Sequence, residues 1–268
     1  MGRDTTLCIS LASRPGTFGS RFHNYLFAAR GLDYVYKAFT TSDLRAAIGG
    51  VRALGIRGCA VSMPFKEACI PLLDQLAPSA SAIDSVNTII NDAGRLTGHN
   101  TDYAAIGTLL SRHAVARTTH FVLRGSGGMA KAVTAALRDA GFRHGTIVAR
   151  NEPAGRALAG AYGYDFQDEL ATLRPGLLIN VTPIGMRGGP ELDAQAFSAD
   201  AIAAAAVVFD VVAMPVETPL ITAARRAGKA TISGGEVIVL QAVAQFALYT
   251  GHQPSDAQIA AAARFALA

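Results

Sequence analysis

Short apolar segments alternate with stretches of helical periodicity along the first sixty residues. Apolar runs at 7–12, 34–39 and 58–62 have the length of buried strands, and a helical pattern at 41–54 lies between the second run and the third. Another helical stretch follows the first run and stops at Gly31. Strands that alternate with helices predict a parallel sheet, so we expect an α/β domain here.

A second region of the same alternation begins near residue 100. A helical window at 102–117 precedes a strand at 119–123 that leads directly into glycines. Helix 129–140 follows, and further strands are predicted at 146–149, 177–180, 207–211 and 230–233. The last segments, 237–250 and 255–267, are rich in alanine and helical by period. The pattern therefore predicts two α/β units, with the final helices packing back on the first unit.

Composition and charge exclude several classes of protein. The chain has 268 residues, half of them hydrophobic, and 24 basic against 20 acidic side chains give a net charge of +4. The basic residues are scattered, which argues against a nucleic-acid partner. Three cysteines without metal-ligand spacing predict reduced thiols and no metal site. No signal sequence is evident and no apolar run reaches the roughly 18 residues of a membrane span, so we expect a cytoplasmic protein that does not enter a membrane.

A glycine-rich turn connects the strand at 119–123 to the next helix. In this context the first glycine allows a tight turn, the second lets the backbone approach a pyrophosphate, and the helix N-terminus faces the anion. An alanine at the third position allows helix and strand to pack closely. The motif predicts a dinucleotide-binding turn, and the alternative is a glycine-rich turn that binds nothing. Its residues are Gly125, Ser126, Gly127, Gly128, Met129 and Ala130.

The end of the following strand favours one cofactor. An NAD site usually carries an acidic residue there for the ribose hydroxyls, whereas this chain has Arg150 and Asn151, with Arg156 further along. A guanidinium group can pair with a 2′-phosphate and lie over adenine, so NADP is favoured over NAD. Solvated surface arginines are the alternative.

Three polar residues beside apolar segments are candidates for chemistry. Lys66 follows a strand and Pro64, whereas Asn87 and Asp102 follow turn-like sequence further along. Sheets of α/β proteins carry their sites at strand ends. Most charged loop residues are only solvated, which is the alternative for each of them.

A series of motifs resembles the shikimate dehydrogenase family along nearly the whole chain. In family order they are 61–67 (VSMPFKE), 82–88 (AIDSVNT), 100–102 (NTD), 125–130 (GSGGMA), 180–186 (NVTPIGM), 217–220 (ETPL) and Gln241. The segments 18–19 (FG), 22–25 (FHNY) and 210–215 (DVVAMP) resemble the divergent branch called shikimate dehydrogenase-like proteins. The set is specific because the motifs are long and keep one order.

The resemblance implies a fold of two domains. A substrate-binding and catalytic α/β domain is expected at 1–103, and a Rossmann-like NADP-binding domain at 104–236. Helices at 237–268 are expected to return to the substrate domain, with the active site between the two domains. The implied partner is a small cyclic hydroxy acid, and the implied assembly is a monomer or a homodimer.

The resemblance also implies roles for individual residues. Lys66 and Asp102 match the catalytic dyad that exchanges a proton with the reacting hydroxyl. Substrate contacts are implied for Thr17, Ser62, Asn87 and Gln241. Besides the glycine turn and the residues after the next strand, Arg150, Asn151 and Arg156, cofactor contacts are implied for Thr182, Val211 and Gly234.

Some positions depart from the family pattern. Typical members bind the substrate carboxylate through two serines, where this chain has Thr17 and Gly19, and Ala213 stands where many members have a tyrosine. The family's Gly-x-Gly-Met run reads GGEV at 234–237, which places Glu236 close to the implied nicotinamide site. Glu236 is expected either to disturb the ligand or to point to solvent.

These departures leave more than one function open. The leading interpretation is a slow or altered-specificity NADP-dependent shikimate dehydrogenase, with quinate or aminoshikimate as alternative substrates. The competing interpretation is an NADPH-binding pseudoenzyme that senses a metabolite. Gly19, Ala213 and Glu236 favour the sensor. The enzyme is favoured by the retention of Lys66, Asp102, Asn87 and Gln241.

Overall fold

Two compact units make up the chain. The computed structural model describes residues 1–170 and 174–268. Unit 1 comprises Met1–Thr101 and Val239–Ala268, and unit 2 comprises Asp102–Ile238. Each unit has its own sheet with helices around it, so the chain has the two-domain α/β class predicted from its pattern.

The sheet of unit 1 is mixed and has the strand order β2-β1-β3-β5-β6-β4. Strands β1 and β2 pair in parallel, as do β1 and β3, in agreement with the predicted alternation. The elements from the N-terminus are β1 (Thr6–Leu11), α1 (Phe18–Ala29), β2 (Tyr34–Phe39), α2 (Leu44–Ala53), β3 (Gly58–Val61), α3 (Phe65–Ala68), a 3₁₀ turn (Ile70–Leu72), β4 (Gln75–Leu76), α4 (Pro78–Ser81), β5 (Thr88–Asp92) and β6 (Arg95–His99).

The hairpin of β5 and β6 was not predicted. Strand β5 is antiparallel to both β3 and β6, and the hairpin reverses direction at Ala93 and Gly94. Both residues have positive φ, +50° and +92°. This is the backbone of a tight hairpin turn, which asparagine or aspartate followed by glycine usually signals. An alanine at the first position conceals that signal.

The sheet of unit 2 is parallel throughout its described pairings, with the order β12-β11-β10-β7-β8-β9. Helix α5 ends at Arg112, earlier than predicted, and Ala114 beyond it has φ of +48°. The elements are α5 (Asp102–Arg112), β7 (Phe121–Arg124), α6 (Gly128–Asp139), β8 (Gly145–Val148), α7 (Glu152–Tyr162), β9 (Asp165–Gln167), β10 (Leu177–Asn180), α8 (Ala199–Ala204), β11 (Val207–Asp210), α9 (Pro219–Arg226) and β12 (Ala230–Ile232).

The C-terminal helices are α10 (Gly234–Thr250) and α11 (Asp256–Leu267). Helix α11 packs against α1, where Arg30 Nη1 donates to Gln258 Oε1 at 3.1 Å. A Cβ on Gly58 would lie 2.2 Å from the Tyr249 ring, so a glycine is needed for α10 to approach β3 this closely. The predicted return of the final helices to the first unit is confirmed.

Aliphatic side chains fill the core of each unit. The core of unit 1 includes Ile9, Val51 and Ile89, and one cluster in unit 2 includes Val122 and Leu178. The thiols of Cys8, Cys59 and Cys69 are free and buried, in agreement with the predicted reduced cysteines. No helix of the described part of the chain is long and apolar enough to cross a bilayer.

Candidate active site

Lys66 is the second residue of α3, the short helix that follows β3. The Phe65 N–H donates to the Ser62 carbonyl at 2.9 Å, which closes the turn from strand to helix. The Val86 N–H donates to the Lys66 carbonyl at 2.8 Å, so the lysine backbone is fixed to the chain before β5. The Lys66 side chain is half-buried, whereas Ser62 is exposed. A half-buried amine in a fixed backbone is suited to proton transfer.

Asn87 is buried, with 2% of its surface exposed, and its side chain is bonded to Thr101. Its Oδ1 accepts the Thr101 N–H at 2.9 Å, and its Nδ2 donates to Thr101 Oγ1 at 2.9 Å. The Thr88 hydroxyl also donates to Asn87 Oδ1, at 2.8 Å. Thr101 immediately precedes Asp102, the fully buried first residue of α5. Asn87 therefore fixes the chain that leads into Asp102.

A second amide of α10 joins this group, and sequence reasoning missed it. Gln245 is 4% exposed, and its Nε2 donates to Thr88 Oγ1 at 3.0 Å and to the Asn87 carbonyl at 3.4 Å. Gln241, the predicted substrate contact, lies one turn earlier and is half-buried. Residues four apart share a helix face, so the repeat of glutamine at this spacing was the available signal.

Thr17 and Gly19 lie at the start of α1, where the two family serines are expected. Thr17 is exposed at the N-cap position, and its side chain makes no capping hydrogen bond. A Cβ on Gly19 would lie 3.2 Å from the Tyr36 hydroxyl. The missing serine side chain would therefore crowd Tyr36.

The aromatic cluster beneath α1 contains a buried histidine. The His23 ring stacks on Tyr36 with a centroid distance of 4.7 Å, and Phe246 and Tyr249 lie within 6.4 Å and 5.4 Å. Its side chain is fully buried. Burial lowers the pKa of His23 to about 3, because the charged imidazole loses its solvation. His23 is therefore a neutral core residue at physiological pH.

The glycine turn of unit 2 fits a pyrophosphate. Gly125 has φ of +131°, and a Cβ there would lie 2.8 Å from Val181 Cγ2, so this tight turn requires glycine. A Cβ on Gly127 would meet nothing within 4 Å, which leaves open space beside the N-terminus of α6. Ala130 is fully buried, as a close-packing position requires, and Ser126, Gly128 and Met129 are half-buried.

The residues after β8 differ in their availability to a ligand. The Arg150 side chain is 77% exposed, and its Nη2 lies 3.7 Å from Glu191 Oε2. Asn151 caps α7 by accepting the Ala154 N–H at 3.2 Å. Arg156 is engaged within the unit: its Nε is 2.7 Å from Glu152 Oε1 and its guanidinium lies 4.8 Å from the Phe166 ring centroid. Arg150 is the better candidate for a 2′-phosphate.

The remaining predicted cofactor contacts lie at the other side of the glycine turn. Thr182 follows β10, Val211 follows β11, and both are half-buried. Gly234 begins α10, and a Cβ there would lie 2.2 Å from the Val212 carbonyl oxygen. This close approach excludes a larger residue at the start of the helix. In a parallel sheet these carboxyl ends are the ligand-binding edge.

The Glu236 carboxylate does not point freely to solvent, because it is hydrogen-bonded to Ser233 and His113. Its Oε2 accepts the Ser233 N–H and hydroxyl, both at 2.9 Å, and the Glu236 N–H donates to Ser233 Oγ at 3.4 Å. This is a capping box at the N-terminus of α10. Its Oε1 lies 2.8 Å from His113 Nε2. Burial opposes ionisation of Glu236, but the bonds from Ser233 and His113 outweigh it and lower its pKa.

A parallel sheet with a glycine turn after β7 defines unit 2 as a Rossmann-like domain. Comparison with known proteins then gives the family. Residues 17–89 match the model described as the shikimate dehydrogenase substrate binding domain. A relative from Haemophilus influenzae, named shikimate dehydrogenase-like protein, is 56% identical over 266 residues and is covered to 98%, against 99% of this chain. The chain therefore belongs to the shikimate dehydrogenase family, as its motifs predicted.

Solved structures agree with this assignment. Shikimate 5-dehydrogenase from Thermus thermophilus, in complex with NADP(H) and shikimate, is 27% identical with a TM-score of 0.85, covering 98% of this chain and 100% of that one. Quinate dehydrogenase from Corynebacterium glutamicum, in complex with NAD, is 27% identical with a TM-score of 0.85, covering 97% and 98%. The two-domain architecture of this family is thus the fold of the chain.

Proposed function

We propose that this protein is an NADP-dependent oxidoreductase that interconverts shikimate, or a close cyclic polyol acid, and its 3-dehydro form. One observation carries the proposal. The segment before β5 fixes the backbone of Lys66 through the Val86 N–H, and it fixes Thr101, the residue before Asp102, through Asn87. The residues directly before β5 thus hold the backbone at Lys66 and the backbone that leads into Asp102, the two residues assigned to proton transfer.

Each proposed catalytic residue has a distinct task. In the oxidation direction the Lys66 amine takes the proton of the reacting hydroxyl, while the substrate carbon that bears this hydroxyl loses a hydride. In the reduction direction the Lys66 ammonium returns the proton. Bound NADP supplies the hydride acceptor or donor. The Asp102 carboxylate stabilises the positive charge that forms on the lysine. Two electrons leave with the hydride and one proton goes to Lys66, so the step is balanced.

Unit 1 is assigned to the substrate. Asn87 Nδ2 has one N–H beyond the bond to Thr101, and Gln241, Ser62 and Thr17 offer further polar groups for a polyol. The hydroxyls missing at Gly19 and Ala213 remove hydrogen bonds, each typically contributing about 1 kcal/mol or more to recognition. We therefore propose slow turnover or an altered substrate preference.

Unit 2 is assigned to the cofactor. The open space at Gly127 and the N-terminus of α6 suit the pyrophosphate. The exposed Arg150 favours a 2′-phosphate over a free ribose, which supports NADP although the quinate dehydrogenase neighbour binds NAD. Quinate and aminoshikimate should therefore be tested as substrates with NADP and with NAD.

Turnover by the purified protein tests this proposal. We expect slow NADPH formation with shikimate, quinate or aminoshikimate, measured at the absorbance of reduced nicotinamide. Lys66→Ala should lose at least about a hundredfold of that rate, because general acid–base catalysis contributes about that much or more. The exposed Lys37→Ala variant is the matched control and should keep the wild-type rate.

The competing function is an NADPH-binding sensor without catalysis. The absent groups at Gly19 and Ala213 favour it, because a binding protein tolerates their loss more readily than an enzyme. Tight NADPH binding without turnover of any substrate in the panel would support the sensor. Equal turnover by wild type and Lys66→Ala would also refute the assignment of the lysine.

A further inference from the structure

Two polar side chains at the ends of neighbouring strands are completely buried. Asn180 ends β10 and Asp210 ends β11, and the two residues are register partners in the parallel sheet. Neither has any exposed surface. Asn180 Nδ2 donates to Asp210 Oδ1 at 3.0 Å. Burying a carboxylate costs free energy unless it is hydrogen-bonded. The hydrogen-bond partners of Asp210 therefore indicate which parts of the structure it stabilises.

The Asp210 carboxylate accepts two further hydrogen bonds. The Val212 N–H donates to Oδ1 at 3.1 Å, and the Thr218 hydroxyl donates to Oδ2 at 2.6 Å. Thr218 in turn caps α9 by accepting the Ile221 N–H at 3.1 Å. Every partner of the carboxylate is a donor, which is the arrangement that suits an ionised acid. Asp210 thereby holds the segment after β11 at both of its ends.

The network also holds the segment after β10. Asn180 Oδ1 accepts the Thr182 N–H at 3.1 Å and the Thr182 hydroxyl at 2.6 Å. Thr182 lies against the glycine turn, since a Cβ on Gly125 would be 3.2 Å from Thr182 Cγ2. The Val212 carbonyl, on the other side, lies against Gly234 of α10. The Asp210 carboxylate is therefore connected, directly or through Asn180, to the segments that follow β10 and β11 beside the glycine turn.

The strand order places this network on one half of the dinucleotide. The glycine turn follows β7, and Arg150 follows β8, so the adenine half belongs on the β8 side. Strands β10 and β11 lie on the opposite side of β7, where the nicotinamide half belongs. We propose that Asp210 is a positioning residue, which holds Thr182 and the backbone at 211–212 in place for the nicotinamide half. This inference rests on the proposed NADP-binding function of unit 2.

Binding of a whole and a half cofactor tests the proposal. Asp210→Asn keeps the size of the side chain but removes an acceptor, whereas Asp200→Asn changes an exposed aspartate of α8 and is the control. NADPH affinity is measured by fluorescence, and adenosine 2′,5′-bisphosphate affinity by calorimetry. We expect Asp210→Asn to weaken NADPH by about tenfold, in line with one lost hydrogen bond, and to leave the adenine half unchanged. A variant that is merely misfolded would lose both.

A second pair of variants keeps the test decisive if Asp210→Asn does not fold. Thr218→Val should reproduce the selective loss of NADPH, and Thr218→Ser, which retains the hydroxyl, should restore binding. Equal weakening of both ligands, or of neither, would overturn the role of Asp210. Wild-type protein that binds adenosine 2′,5′-bisphosphate and NADPH but turns over no substrate would refute the proposed reaction and leave this inference standing. Wild type that binds neither would overturn both.

Discussion

Each unit contains a completely buried ionisable side chain with distinctive surroundings, His23 in unit 1 and Asp210 in unit 2, and these surroundings are opposite. His23 in unit 1 is enclosed by the rings of Tyr36, Phe246 and Tyr249. Asp210 in unit 2 receives hydrogen bonds from three donors. Burial lowers the pKa of His23 to about 3 and raises the pKa of Asp210 to about 6, where the donors oppose the effect of burial. The comparison separates a residue kept neutral for packing from one whose ionised form is supplied with donors.

The acid sensitivity of His23 is the largest effect expected from this comparison. Its folded pKa lies below the ordinary 6.5, so protonation favours the unfolded chain. The stabilisation is complete above pH 6.5 and is lost as the pH falls towards 3, by about 5 kcal/mol over the whole range. His23→Phe should remove this dependence, measured as the unfolding free energy of wild type minus variant against pH.

An exposed histidine provides the control for this measurement. His252→Gln lies on the surface of the same unit and should leave the pH dependence unchanged. Parallel loss of stability by wild type and His23→Phe between pH 6.5 and 4 would show that His23 does not titrate on unfolding.

Asp210 should show a smaller effect of the opposite sign. Its folded pKa of about 6 lies above the ordinary 3.8, so protonation favours the folded chain. Its contribution therefore destabilises the fold progressively as the pH rises from about 4 to about 6, by about 3 kcal/mol in total. The unfolding free energy of the wild type minus that of Asp210→Asn should therefore fall as the pH rises through this range. A shift in the same direction as that of His23 would contradict the assigned surroundings.

Glu236→Gln should give the smallest effect. The Glu236–His113 pair is partly exposed, with 41% and 29% of the side chains accessible, and glutamine can keep the capping box. We expect the unfolding free energy to fall by less than about 1 kcal/mol. NADPH affinity should change by less than about twofold, because the carboxylate is bonded to Ser233 and His113. A marked gain in affinity would show instead that Glu236 repels the cofactor.

Local patterns in the sequence predicted the framework of the fold. The alternation of strands and helices and the strand–turn–helix context of Gly125 depend on neighbouring residues, so they are readable along the chain. The β5–β6 hairpin was missed because Ala93 occupies a left-handed turn position that alanine rarely takes. The early end of α5 has the same origin at Ala114.

Contacts between residues that are far apart along the chain could not be predicted from such local patterns. The bonds of Gln245 to Thr88 and of Asn180 to Asp210 join residues that only the sheets and α10 bring together. The motifs indicated Asn87, but not that its amide holds Thr101. The roles of Lys66 and Asp102 stay predictions from motif resemblance.

Hydride transfer itself is the most direct test of the proposed function. Shikimate carrying deuterium on the carbinol carbon C3 is incubated with wild-type protein and NADP, and the reduced cofactor is analysed by mass spectrometry. We expect each NADPH formed by the wild type to carry one deuterium. With Lys66→Ala we expect almost no deuterated NADPH, because little product forms. Reduced cofactor without deuterium, or no reduction of NADP by shikimate, quinate or aminoshikimate although they bind, would contradict the account.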